Sequence, residues 1–131
     1  MGKKHKALLS EWQSRLGLTE WRIKLYPKCK PENMDLQDVC GCTAWEETSK
    51  TARVEILDSA YYKDDDRICA FDWEKTLVHE LLHLKTCLVS SHVPDLQERY
   101  MHQMIDDLAR AFVDAKRNGG SVNGVQGRDK T

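Results

Sequence analysis

His79 and His83 stand four residues apart in a run, Trp73 to Val89, that is apolar on almost every side. Leu77, Val78, Leu81, Leu82, Leu84, Leu88 and Val89 spread around most of a helix drawn through this run, and such a helix has to be buried. Any fold for this chain must therefore be built around it. Asp72 suits the cap position, and Glu74 falls in the first turn, where the helix dipole favours it. Residues four apart lie one turn above each other, so both imidazoles point the same way. Two histidines and Glu80 in a buried helix need partners, since each unpaired buried polar group costs roughly 1–3 kcal/mol. Backbone carbonyls could satisfy each histidine separately. One divalent cation satisfies both together, and His79-Glu80-Leu81-Leu82-His83 is the HExxH pattern that holds Zn²⁺ with the glutamate as general base.

Composition narrows the partners. A chain of 131 residues with 40% apolar and 31% charged residues is expected to form one domain with a real core. A formal net charge of −1 gives no electrostatic case for nucleic acid or an anionic membrane surface. No apolar run reaches the length of a membrane span, and the basic start Met1 to Lys6 lacks an apolar signal core after it. The five cysteines, an odd number without a secretory signal, point to reduced thiols and a cytoplasmic protein. Cys29 with Cys40-Gly41-Cys42 lacks the CxxC pair of a zinc knuckle. Cys87, one turn after His83, is expected to fill core space.

The pattern along the chain predicts an α+β fold: an N-terminal helix, a small and mostly antiparallel sheet, the HExxH helix, and a second ligand-bearing helix. His5 to Leu16 carries one apolar stripe and stops at Gly17. Trp21 to Tyr26 alternates as a half-buried strand ended by Pro27, and Lys28 to Asp38 reads as a loop. Val39 to Trp45 and Thr51 to Leu57 read as two further strands. Asp64-Asp65-Asp66 is expected to be a solvated loop. Ser90 to Pro94 breaks the chain, and Asp95-Leu96-Gln97-Glu98 is spaced as a capping box opening a helix to about Lys116. Met101, Met104, Ile105, Leu108, Ala111 and Phe112 give that helix its core face. The domain spans residues 1–117; residues 118–131, rich in Gly, Ser and Asn, form a tail expected to be disordered.

A catalytic zinc takes three protein ligands and leaves one position for water. The HExxHxxGxxH arrangement is excluded, because Thr86 and Val89 occupy its Gly and third His positions. His92, Asp95, Glu98 and His102 remain. His102 is preferred: it lies inside the second helix, one or two turns in, where it can face the HExxH helix. Asp106 sits one turn further, placed to accept the free N–H of a ligand histidine. Glu98 is the runner-up and would make a His₂Glu site, but it also closes the capping box. Asp95 is the cap itself, and His92 could touch substrate.

His79-Glu80-Leu81-Leu82-His83-Leu84 and the downstream segment His102 to Ala109 resemble small intracellular gluzincin-like metallopeptidases, especially the SprT-like and ImmA/IrrE groups and related phage-encoded predicted metallopeptidases. ImmA/IrrE-type proteins carry Glu-x-x-Ala-Asn-x-Phe-Ala in that helix, with the glutamate on zinc. Aligning Leu108-Ala109 with Phe-Ala puts His102 at the ligand position and Asp106 at the Asn. His thus replaces Glu, and SprT-like proteins do use a third histidine. The resemblance covers roughly Ala52 to Ala115. It implies a minimal zincin-like fold in which an edge strand pairs with extended peptide. That strand would be Val39–Trp45 or Thr51–Leu57.

The chemistry expected is hydrolysis of peptide bonds in a peptide or protein substrate. Zn²⁺ on His79, His83 and His102 would acidify a water and polarise the carbonyl, and Glu80 would shuttle the proton. Tyr61, Tyr62, His92 and Tyr100 are candidates for stabilising the oxyanion. Two alternatives stand beside it: a binding or regulatory module whose metal only ties two helices together, and a metal-assisted hydrolase of another bond such as a phosphodiester.

Overall fold

The computed structural model describes residues 2–36, 39–62, 70–90 and 95–119, the side chains of 88–90 and 95–96 excepted. The fold is α+β. Helix α1 (Lys3–Arg15) leads into strand β1 (Arg22–Cys29), then strands β2 (Gly41–Glu46) and β3 (Thr51–Leu57), and helices α2 (Trp73–Ser90) and α3 (Asp95–Arg117) follow. Gly17, at φ +70°, ends α1 as its sequence predicts, taking a left-handed conformation that costs a Cβ-bearing residue strain.

The sheet has the order β1-β3-β2. The two further strands the sequence predicts, β2 and β3, form an antiparallel hairpin, with Thr43 opposite Val54 and Glu46 opposite Thr51. β1, by contrast, runs parallel to β3, with Arg22 opposite Thr51 and Leu25 opposite Val54. The sheet is therefore mixed rather than mostly antiparallel. β1 also runs through Pro27 instead of ending before it. A proline lacks the N–H of a ladder bond, but β1 is an edge strand and its register slips between Tyr26 and Cys29, so the bond is not required there. The segment after it is a short 3-10 turn at Pro31–Asn33.

α2 lies between the sheet and α3 and is buried around most of its girth: Leu77, Val78, Leu81, Leu82, Leu84 and Cys87 all belong to the interior. Trp12 and Leu25, Val54 and Ile56 of the sheet, and Ile105, Ala109 and Val113 of α3 close the same core. Asp72 caps α2, its Oδ1 accepting from the backbone N–H of Lys75 at 3.1 Å. Among the described residues no helix is long and apolar enough to cross a membrane. Several expectations lie outside the described residues: the acidic triplet 64–66, the break across 91–94 with His92, the role of the Asp95 side chain, and the tail from 120 onward.

Candidate metal centre

α2 and α3 pack side by side, and the contact brings three histidines together. One ligand nitrogen from each of His79, His83 and His102 lies within 4.8 Å of the other two. The ring centroids are 5.2 Å apart for His79 and His83 and 4.7 Å apart for His83 and His102. Nitrogens around a tetrahedral zinc stand about 3.3 Å apart, given Zn–N bonds near 2.0–2.1 Å. Three imidazole nitrogens from two packed helices, each within 4.8 Å of the others, are a donor set of the kind a divalent metal of zinc's type takes. Glu98 lines the same cleft but is not one of the clustered donors. His79 and His83 are half-buried, whereas His102 is exposed on the cleft side of α3.

Burial keeps two of the imidazoles uncharged. Burial pushes the His83 pKa down to about 4, and the neighbouring His79 and His102 add to the shift. Burial also lowers His79, with Asp106 pulling the other way. Both rings are therefore neutral near pH 7, the state a metal ligand requires. Asp106 accepts from Nδ1 of His79 at 3.3 Å, the role its spacing suggests, and leaves Nε2 as that ring's lone pair. Arg110 Nη1 holds the other oxygen of Asp106 at 2.5 Å.

Glu80 is 6% exposed, and burial raises its carboxyl to about 7, opposed by a hydrogen bond from Thr43. A carboxyl titrating near neutrality suits proton transfer in both directions. Around these groups runs a cleft of about 830 Å³, with β2 as one wall and α2 and α3 as the others. Among the described residues β2 is an edge strand and β3 the central one, so of the two strands considered for pairing with a peptide β2 is the one with a side no described strand pairs. Gly41, Thr43 and Trp45, alternate residues of β2, all face the cleft. Tyr62 lines it as well, while Tyr61 and Tyr100 do not. Sequence reasoning left out Gly41 and Thr43; the alternation in β2 marks them as one face, but nothing local says which helix that face meets.

No protein-family model matches this chain, and neither the curated proteins nor the solved structures contain a significant match.

Proposed function

We propose that the protein is a zinc-dependent metallopeptidase. The observation that carries this reading is the clustering of His79, His83 and His102 beside a buried Glu80, in a cleft with an open strand edge. Zinc, when bound, supplies Lewis-acid polarisation of a carbonyl and acidification of water. The chain supplies the rest. Glu80 takes the proton of the attacking water and returns it to the leaving amine, work worth roughly 10²–10⁴-fold. β2, at the edge of the sheet among the described residues, offers the N–H and C=O groups of its outer side to an extended peptide, a mode that selects backbone over side chain. Reduced thiols at Cys29 and Cys42 suit a cytoplasmic setting.

A second reading has its own support. The histidines come from two helices, so a metal would also tie α2 to α3 without any turnover. The two separate on one experiment, incubation of the zinc-loaded chain and its Glu80→Gln variant with a peptide library. The peptidase reading expects cleavage by the parent and at least a hundredfold loss in the variant, with zinc retained. A strong rise in melting temperature on zinc binding, with no peptide cut, would instead establish the structural role.

A further inference from the structure

Glu80 does not hang freely in the cleft. Thr43 Oγ1 lies 2.5 Å from Glu80 Oε1 and 3.3 Å from the Glu80 carbonyl oxygen. A hydroxyl has one proton, and the shorter contact takes it; 2.5–2.7 Å is the range of an O–H donor on a carboxylate. Two residues earlier on the same strand face, Gly41 presents bare backbone. A Cβ built there would stand 3.0 Å from Glu80 Oε2, 3.1 Å from its Cγ and 3.0 Å from Thr76 Cγ2. The glutamate side chain thus rests on Gly41 while Thr43 grips one oxygen. Thr43 holds one oxygen, the other fills the space that a side chain at position 41 would need, and both residues line the cleft with the histidines.

We propose that Gly41 and Thr43 of β2 form a seat that fixes the Glu80 carboxylate in one orientation, with Thr43 as its positioning residue. This inference rests on the peptidase reading and adds the device that aims its general base. A general base works only within hydrogen-bond reach of the proton it takes, so a carboxylate left to rotate spends less of its time in a productive pose. Thr43 is placed to act on turnover. The clustered nitrogens of the proposed metal site belong to His79, His83 and His102, and Thr43 contacts Glu80 instead.

The test uses the full zinc-loaded chain and three variants: Thr43→Val, which keeps shape and strand preference but removes the hydroxyl; Thr43→Ser, which keeps the hydroxyl; and Gly41→Ala, which pushes on the carboxylate from the other side. Expected are full zinc content in all three and a fall in kcat of about tenfold for Thr43→Val, the scale of one lost hydrogen bond to a charged group, with KM within about twofold. Thr43→Ser should recover most of the loss, and Gly41→Ala should lower kcat with KM little changed. Should Thr43→Val not fold, the other two variants read the same seat. Unchanged kcat in Thr43→Val or in Gly41→Ala, or a Ser variant as impaired as the Val one, overturns the seat while leaving the peptidase reading intact. A parent protein that binds zinc and cuts no peptide overturns both.

Discussion

Asp106 on α3 and His79 on α2, 27 residues apart in sequence, meet through a 3.3 Å contact between carboxylate Oδ1 and ring Nδ1. The contact sets the tautomer of His79 and ties α2 to α3 at the level of the histidine cluster. Outer partners of this kind typically change metal affinity 10–100-fold when removed. Asp106→Ala is therefore expected to weaken zinc binding by about that factor. Asp107→Ala, which loses a contact to Arg110 rather than to a histidine, is the matched control and should leave affinity within about threefold. Competition titration against a zinc-chelating dye reads both.

The choice of third donor gives a second prediction. His102 belongs to the cluster of nitrogens, whereas Glu98 lies along the cleft outside it. Metal analysis of the purified variants should find zinc lost from His102→Ala and kept in Glu98→Ala. The reverse result would transfer the ligand role to Glu98 and leave His102 as a surface residue of α3.

A third prediction concerns pH in the metal-free protein. Glu80, raised by burial from an ordinary 4.5 to about 7, keeps a proton that the unfolded chain has released. Its contribution to stability is complete below 4.5 and is lost as pH rises through 7. His83, lowered from 6.5 to about 4, contributes in the opposite sense, with stability present above 6.5 and lost as pH falls toward 4. The two slopes oppose each other over nearly the same interval and largely cancel. Glu80→Gln removes one of them. Relative to the parent, the metal-free variant should gain about 2–3 kcal/mol between pH 4.5 and 7.5 in urea unfolding. A constant difference across that range would mean Glu80 titrates near its ordinary value and is not desolvated.

The limits of legibility follow from the range of the interactions involved. The apolar run around His79 and the four-residue spacing of His79 and His83 are local, and α2, its Asp72 cap and the Thr51–Leu57 strand follow from local pattern. The α3 face does not, since Ile105, Ala109 and Val113 are buried whereas Met104, Leu108, Ala111 and Phe112 of the expected stripe are exposed. Asp106 was accessible for the same reason: it sits one turn beyond His102. Pairing across the sheet is not local. The parallel match of β1 with β3 depends on how the chain crosses after Cys29, and a strand's own alternation is the same for either direction. Pro27 inside β1 follows from that, since only an edge position tolerates it. Thr43 and Glu80 are 37 residues apart, and their contact exists only once β2 has been laid against α2.

The far end of α3 supplies the last prediction. Glu74, in the first turn of α2, is 9% exposed and accepts hydrogen bonds from Trp12 Nε1 at 2.7 Å, Lys116 Nζ at 2.5 Å and Arg117 Nη2 at 3.2 Å. Burial alone would raise this carboxyl; the bonds from Lys116 and Trp12 outweigh it and hold Glu74 below its usual value. Arg117 also grips Asp72 with both terminal nitrogens, at 2.7 and 3.0 Å. These contacts fasten the C-terminal end of α3 to the start of α2 and to α1, so they fix where the rest of α3, including His102, lies along α2. Glu74→Ala leaves the Trp12 indole N–H and the Lys116 ammonium with fewer partners near the core, and should cost about 2–4 kcal/mol. Lys116→Ala, at a more exposed position, should cost about 1 kcal/mol. The double variant should lose less than the sum, because both substitutions break the same bond. Urea unfolding of the four proteins measures the coupling, and strict additivity would show that the two side chains do not act on each other in solution.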